Sequence, residues 1–274
     1  MLEVGKIKVF VNEKLSEVGD NSTAYDVRNL IKKDADIVIL NGHIIKEDMV
    51  LKENDRLTLI KRGEVPTQDE LEALLVARHT PGVHEKVKNA SVGIAGLGGL
   101  GSQVAVSLAR IGIGRLLLVD FDVVEPSNLN RQQYFIKHIG MFKTEAMKDL
   151  LTAINPFVEV ETKQIYLDET NIAETFLDVD IIVEAFDDPG CKASLVNTVL
   201  SKLPDKTIVA ASGIAGYFSN NSIRTKKIKD NFYLVGDNVS EAQPGCGLMA
   251  PRVAIAANHQ ANTVLRIILG EKEV

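Results

Sequence analysis

A glycine-rich stretch in the middle of the chain has residue types and a spacing that suit phosphate binding. Residues 92–102 read VGIAGLGGLGS, and Gly96, Gly98 and Gly101 form the pattern G-x-G-x-x-G, with Gly99 inside it. Glycines permit a tight turn and let backbone N–H groups approach a phosphate at the N-terminus of the following helix. A strand is predicted before the turn and a helix after it, which is the context that a nucleotide site requires. The pattern therefore predicts a phosphate site without identifying the nucleotide.

A polar segment follows the second predicted strand of this region. Residues 116–120 read LLLVD, and Asp120 is placed at the strand end to accept hydrogen bonds from ribose hydroxyls. The side chains suited to phosphate oxygens are Asn128, Arg131, Gln132 and Lys143. Two of them are cations, and two cations beside a glycine turn favour a triphosphate over a dinucleotide. We therefore predict ATP, and we keep an NAD-dependent oxidoreductase, whose hydride-transfer face is typically apolar, as the alternative enzyme class.

The bulk composition limits the kind of protein. The chain has 274 residues, of which 45% are hydrophobic and 25% charged, and a net charge of −6, so nucleic acid is not the expected partner. No apolar run reaches the roughly 20 residues that span a membrane, and the N-terminus lacks the apolar region of a signal peptide. Cys191 and Cys246 are the only cysteines, too few for a zinc site or a disulfide framework. We expect a cytoplasmic protein without zinc.

The first 63 residues have the pattern of a small separate domain. Strands are predicted at 6–12, 14–18, 36–45 and 51–63, and a helix at 24–33. Ser22 and Thr23 can cap that helix, and Asn41-Gly42 is a type I′ turn signal. Two strands, a helix and two strands within about 60 residues predict a β-grasp domain at 1–63.

The rest of the chain divides into a link and a larger domain. Residues 64–89 are predicted as a linking helix, because Thr67 and Glu70 form a capping box and Thr80-Pro81-Gly82 stops the helix. Residues 90–274 alternate strands with helices, which predicts βαβ units and a parallel sheet, and they end in a long helix.

Several of these motifs together resemble the ThiF/MoeB family of adenylyltransferases of the ubiquitin-activating type. They are GLGGLG at 96–101, DFDVVEPSNLNRQ at 120–132, Lys143, and Asp187 at the end of a strand. The front domain resembles ThiS, a ubiquitin-like sulfur carrier, through NDRLTLIKRG at 54–63. The resemblance implies an α/β fold: a Rossmann-like adenylation domain with a mostly parallel sheet, preceded by the β-grasp domain.

The resemblance also implies a reaction. The C-terminal Gly-Gly carboxylate of a ThiS-type carrier in thiamin biosynthesis attacks the α-phosphorus of ATP and gives an acyl-adenylate and pyrophosphate. A carboxylate is already ionised at pH 7, so this step needs no general base. The alternatives within the family are another ubiquitin-like carrier or a modified tRNA nucleoside. A non-enzymatic alternative is a nucleotide-sensing scaffold whose front domain occupies its own carrier site.

The resemblance implies roles for further residues. Asp187 matches the Mg²⁺-linked aspartate, and Asp122 matches a second acid of the ATP pocket. Asp188 is either a second Mg²⁺ ligand or a helix cap, and we favour the cap. The catalytic set predicted in this way comprises Arg131, Lys143, Asp187, Arg78 and Cys246. A homodimer is expected, and a sulfur donor enzyme is a possible partner.

The chain departs from these family patterns in three places, which are the zinc motifs, the arginine that reaches the partner subunit and the end of the front domain. Many relatives carry two zinc-binding CxxC motifs, whereas here residues 213–245 must be held without metal. Their arginine that reaches the partner subunit's ATP is missing, and Arg78 is either its replacement or a cation at a helix C-terminus. Cys246 is either the thiol that links to the carrier or an unreactive loop cysteine. Arg62-Gly63 runs on into Glu64, so the front domain has no free Gly-Gly carboxylate, which predicts a docking or regulatory role.

Overall fold

Five strands and two helices form the first part of the chain in the computed structural model, which describes residues 5–274. The chain divides into two units after Pro81. The elements of the first unit are β1 (Lys6–Val11), β2 (Lys14–Gly19), α1 (Ala24–Ile31), β3 (Ile37–Leu40), β4 (His43–Ile44), β5 (Arg56–Ile60) and α2 (Gln68–Val76). The strand order is β2-β1-β5-β3-β4, with β1 and β5 parallel and the other pairs antiparallel. This is the β-grasp arrangement predicted from the sequence.

Local signals account for the turns of this unit. The Thr23 side chain accepts a hydrogen bond from Asp26 N at 3.1 Å and Asp26 Oδ2 accepts one from Thr23 N at 3.0 Å, so a capping box starts α1. Asn41 and Gly42 both have positive φ, at 51° and 87°, as a type I′ turn requires. The predicted strand at 36–45 is therefore a hairpin of β3 and β4.

The segment predicted as one linking helix contains two. Thr67 and Glu70 form the predicted capping box at the start of α2. Arg78 follows this helix and is exposed, with its N–H donating to Leu75 O at 3.0 Å. Gly82, with φ of +80°, is the N-cap residue of a second helix, α3 (Val83–Lys88).

A seven-stranded sheet covered by helices forms the second unit. Its further elements are β6 (Ser91–Ala95), α4 (Gly99–Arg110), β7 (Arg115–Val119), α5 (Lys143–Ile154), β8 (Glu159–Lys163), α6 (Ile172–Thr175), β9 (Ile181–Glu184), α7 (Pro189–Lys202), β10 (Thr207–Ala211), β11 (Arg224–Lys229), β12 (Phe232–Gly236) and α8 (Ala250–Leu269). The order is β11-β12-β10-β9-β6-β7-β8, and only β11 runs antiparallel to its neighbour. The sheet is thus mostly parallel, as predicted.

The order of the strands places a ligand crevice. The chain starts at β6, inside the sheet, adds β7 and β8 on one side, and then returns to add β9, β10 and β12 on the other. The strand order reverses between β6 and β9, and open α/β sheets bind ligands at the carboxyl ends of the strands at such a point. One hydrophobic core lies under α4, α5 and α8, and a second lies under α6 and α7. Within residues 5–274, no helix is long and apolar enough to span a bilayer.

A buried arginine holds part of the segment at 213–245. Arg252, on the first turn of α8, is 3% exposed, and its guanidinium donates five hydrogen bonds of 2.7 to 3.1 Å. The acceptors are the carbonyl oxygens of Ala215, Phe218 and Ser219, the hydroxyl of Ser222 and a carboxylate oxygen of Asp237. Every N–H of the guanidinium is used, so one side chain cross-links the segment.

We expect Arg252→Met to lower the free energy of unfolding by about 3–5 kcal/mol, because the ion pair between the buried guanidinium and the half-buried Asp237 carboxylate would be broken and the carboxylate would lose its cation. Arg252→Lys should cost less, since it keeps the charge and loses only part of the hydrogen bonding. Arg266→Met is the control, because the Arg266 side chain is 38% exposed and should contribute less than about 1 kcal/mol. Urea unfolding measures all three, and equal midpoints for the two methionine variants would contradict the assignment of Arg252 as an anchor.

Candidate active site

A cleft of about 780 Å³ opens at the carboxyl ends of the central strands. Ligand pockets in proteins have volumes of about 300 to 1,000 Å³, so the cleft is large enough for a nucleotide. The predicted residues that line it are Gly96, Gly98, Gly99, Asp120, Asp122, Asn128, Arg131, Gln132, Lys143 and Asp187. The structure thus brings together residues that lie up to 91 positions apart, the distance from Gly96 to Asp187.

The glycine turn joins β6 to α4 at one wall of the cleft. Gly96 has φ of +90°, and a Cβ on Gly101 would lie 1.9 Å from Gly96 O. Gly101 therefore allows α4 to pack against the turn, and it lies behind the cleft rather than in its lining. Gly98 caps α4 without a side-chain hydrogen bond, so the first backbone N–H groups of the helix remain available to an anion.

The buried side chain of Asp120 holds the glycine turn in place through hydrogen bonds. It is 8% exposed, and its carboxylate accepts hydrogen bonds from Leu97 N at 2.6 Å and from Asp122 N at 2.8 Å. Burial raises the pKa of Asp120, against the opposing effects of Lys143 and these backbone N–H groups. A carboxylate has lone pairs for about four hydrogen bonds, so Asp120 can still accept a hydrogen bond from a ribose hydroxyl. Its ribose role stays a prediction, and its first role in the fold is to fix the turn.

Lys143 lies at the start of α5 with its charge in the cleft. Its Nζ is 2.7 Å from Asp122 Oδ2 and 3.9 Å from Asp120 Oδ2, and the residue is 7% exposed. The Lys143 N–H also donates to Asp122 O at 2.9 Å, which fixes the two segments against each other. Lys143 is therefore held by the two acids and would exchange part of this pairing for a phosphate.

Two buried polar atoms of the loop have no partner within residues 5–274. They are Oε1 of Gln132 and Nε of Arg131, on adjacent residues that both line the cleft. An unpaired buried polar group costs about 1–3 kcal/mol, so such atoms in a cleft suit a polar ligand. Asn128 is used differently, since its Oδ1 accepts a hydrogen bond from Glu125 N at 3.1 Å and orders the loop.

Asp187 and Asp188 have different environments. Asp188 is the N-cap of α7 and accepts a hydrogen bond from Cys191 N at 2.7 Å, which lowers the pKa of Asp188. The helix-cap prediction is therefore confirmed. Asp187 lies three residues beyond the end of β9, and its carboxylate has no hydrogen bond or ion pair with the rest of residues 5–274.

The donor set can be tested for Mg²⁺. Residues 5–274 contain no group of three or more His, Cys, Asp or Glu side chains arranged to hold a metal ion. Mg²⁺ usually binds through one or two carboxylates together with substrate phosphates and water. The unpaired carboxylate of Asp187 in the cleft therefore fits Mg²⁺ bound with a nucleotide, although not a metal cage made by the protein alone.

The two cysteines, both free, lie in different places. Cys246 is half-buried outside the cleft lining, and its backbone N and O pair with Gln243 at 2.8 and 3.1 Å. Cys191 lines the cleft, and its Sγ is 3.4 Å from the Tyr166 hydroxyl. Tyr166 also packs edge-to-face on Phe121 at 5.2 Å, so these residues form an aromatic rim that the sequence did not indicate.

Tyr134 is a further residue beside the site that the sequence analysis did not predict. Its hydroxyl donates to Leu97 O at 2.9 Å, next to the glycine turn, and the side chain is buried. Burial, followed by the nearby charges of Asp120 and Asp122, raises the pKa of Tyr134, so the phenol stays neutral and keeps this hydrogen bond. Two consecutive glutamines precede it in the sequence, and no spacing signal marks it.

A glycine turn at the reversal point of a parallel sheet, followed by a loop with two cations, defines a nucleotide-binding α/β unit, here preceded by a β-grasp unit. Residues 72–274 match the model of the ThiF family, and residues 7–63 match the model described as ThiS-like ubiquitin. The chain belongs to the ThiF family.

Curated relatives extend this finding. The adenylyltransferase and sulfurtransferase UBA4 of Candida glabrata is 31% identical over 235 residues, covering 82% of this chain and 52% of that protein. The ubiquitin-like modifier-activating enzyme 5 of Caenorhabditis briggsae is 30% identical over 186 residues, covering 67% of this chain and 41% of that protein. The chain thus spans about half, or less, of the length of these relatives.

Solved structures share the fold. The Escherichia coli tRNA N6-threonylcarbamoyladenosine dehydratase TcdA, in complex with ATP, superposes with a TM-score of 0.67 at 20% identity, covering 76% of this chain and 98% of that chain. Escherichia coli MccB with ATP gives a TM-score of 0.54 at 27% identity, covering 69% of this chain and 59% of that chain. At 20% identity, the first of these shows the fold alone.

Proposed function

We propose that this protein is an ATP-dependent adenylyltransferase that activates the C-terminal Gly-Gly carboxylate of a separate ThiS-type sulfur carrier for thiamin biosynthesis in the cytoplasm. The observation that carries the proposal is the set of ligand-ready groups in the cleft: the uncapped N-terminus of α4, the cation of Lys143, and the unpaired atoms of Arg131 and Gln132. The name of the UBA4 relative, an adenylyltransferase and sulfurtransferase, supports this class of chemistry.

The chemistry assigned to these residues is binding and charge stabilisation. The carrier carboxylate attacks the α-phosphorus, its new C–O–P linkage forms, and the bond to the pyrophosphate oxygen breaks. Backbone N–H groups at the glycine turn and the cations of Arg131 and Lys143 hold the phosphates, while Asp120 accepts from the ribose. When bound, Mg²⁺ neutralises charge on the phosphates, and Asp187 is the residue that would hold it. Positioning and electrostatics then account for the acceleration.

The front unit does not supply the carboxylate in this proposal. Its chain continues past Gly63, and the Glu64 carboxylate pairs with Lys32 Nζ of the same unit at 2.8 Å. That contact ties the continuing chain to the β-grasp unit, so we assign it a docking or regulatory role. We further propose a homodimer in which Arg78, exposed after α2, supplies a cation to the partner subunit's ATP, and a sulfur donor enzyme as a second partner.

The test is ATP–pyrophosphate exchange with the purified protein and a free ThiS carrier. We expect exchange with an intact Gly-Gly terminus and none when the last glycine is deleted. The ubiquitin-like modifier-activating enzyme 5 among the relatives favours a second candidate, another ubiquitin-like carrier. Such a carrier and tRNA that carries modified nucleosides belong in the same assay. If exchange occurs only with one of these, that molecule and not ThiS is the substrate. NADH binding without ATP binding would refute the adenylyltransferase.

For the covalent role of Cys246, we expect Cys246→Ser to leave pyrophosphate exchange unchanged and to block sulfur transfer to the carrier. The physical reason is its place outside the cleft lining, where it does not contact the nucleotide but remains half-exposed. Cys191→Ser is the matched control, since this thiol lines the cleft and should leave sulfur transfer intact. Normal sulfur transfer by the Cys246 variant would eliminate the covalent role.

A further inference from the structure

An ion pair between a buried glutamate and a partly exposed lysine connects the cleft with the middle of the sheet. Glu184, the last residue of β9, is fully buried, and its two carboxylate oxygens lie 3.0 and 3.2 Å from Lys192 Nζ. Lys192 comes from the first turns of α7 and lines the cleft. A buried carboxylate needs a cation and hydrogen bonds to be tolerated, so the two residues form one unit.

The hydrogen bonds of this pair are all internal. Lys192 Nζ has three donors, and the third reaches Ala211 O at 3.1 Å, at the end of β10. The Glu184 carboxylate also accepts from Phe186 N at 2.8 Å and from Ala211 N at 3.2 Å. Lys192 is therefore a cleft residue whose donors are already occupied, which argues against direct phosphate binding.

The two residues whose backbone N–H groups bond Glu184 come just before segments of the chain that line the cleft. Phe186 is followed by Asp187, and Ala211 is followed by Ser212 and Gly213, all of which line the cleft. Gln260 of α8 holds the same two strands, because its Nε2 donates to Glu184 O at 2.9 Å and to Val209 O at 3.2 Å. Side-chain hydrogen bonds thus hold the ends of β9 and β10 together. They fix the positions of the residues that follow each strand.

We propose that the Glu184–Lys192 pair is a positioning device for the cleft: Lys192 acts through Glu184 and Ala211 to fix the loops that carry Asp187 and Gly213, and it does not contact the nucleotide. The inference rests on the proposed ATP site. It adds a residue pair to which neither the sequence motifs nor the resemblance assigns a role.

Calorimetric ATP binding and thermal unfolding of the full chain test the pair through four variants: Lys192→Met, Lys192→Arg, Glu184→Gln and the double variant Lys192→Met/Glu184→Gln. We expect Lys192→Met to weaken ATP binding by about 10- to 100-fold, as for other groups that orient a binding residue. Lys192→Arg should lose less, because it keeps the cation. The double variant should return to within about threefold of the wild type, since no unpaired charge remains and a glutamine amide can bond both Ala211 O and a backbone N–H.

The other outcomes each overturn something distinct. If the double variant binds ATP as weakly as Lys192→Met, the ammonium contacts the nucleotide directly and positioning is wrong. If Lys192→Met unfolds at a lower temperature but binds ATP like the wild type, the pair is structural only. If the wild type itself fails to bind ATP, the proposed function falls, whereas normal binding by wild type and by every variant refutes only the positioning role.

Discussion

Replacement of Asp187 by alanine is expected to reduce carrier-dependent ATP–pyrophosphate exchange by about 100- to 1,000-fold, the loss typical of removing one group that stabilises transition-state charge. The same variant should unfold at the wild-type temperature. The Asp187 carboxylate has no hydrogen bond or ion pair within residues 5–274, so its removal deletes no contact that holds the fold. The effect should therefore lie in catalysis and not in stability.

Asp188→Ala is the matched control for this prediction. The neighbouring carboxylate caps α7 through its 2.7 Å hydrogen bond from Cys191 N, so its loss should cost about 1 kcal/mol of stability. Exchange should continue at close to the wild-type rate. Exchange measurements and urea unfolding on both variants separate the two roles, and an Asp187 variant that exchanges normally would remove this residue from the mechanism.

Gly101→Ala should have the second large effect, a loss of ATP binding together with about 1–3 kcal/mol of stability. The added methyl group would lie 1.9 Å from Gly96 O, and a backbone oxygen cannot rotate away as a side chain can. Either α4 must move from the sheet or the turn after β6 must rearrange. Both changes displace the N–H groups that we propose as phosphate ligands. Calorimetry with ATP and thermal unfolding measure the two parts of this effect.

Gly98→Ala, in the same motif, is the control for stability. Its φ is −73°, and the nearest atom to an added Cβ is Gln132 Nε2 at 3.9 Å, so the fold has room for the methyl group. We expect a wild-type unfolding temperature for this variant. Equal destabilisation by both substitutions would mean that packing between α4 and the turn is not what Gly101 provides.

Local features were predictable because their physical cause lies within a few residues. The box of Thr23 and Asp26 starts α1, and the pair Asn41-Gly42 joins β3 to β4. The glycine spacing predicted a strand, a turn and a helix, and the structure has them. The linking segment was less predictable, since Gly82 allows a new helix to begin where the sequence pattern only indicated a stop.

The sequence alone therefore established the two-part α/β architecture, the ThiF resemblance, and the side chains gathered around the glycine turn. The tertiary structure decided which of these side chains are paired within the fold and which are left available to a ligand. Asp188 is a local helix cap, which the sequence favoured, whereas the unpaired state of the adjacent Asp187 carboxylate depends on which residues the fold places around it. Glu184 meets Ala211 across 27 positions, and Arg252 meets Ala215 across 37. Such contacts depend on which strand lies beside which, and side-chain patterns along one segment do not contain that information.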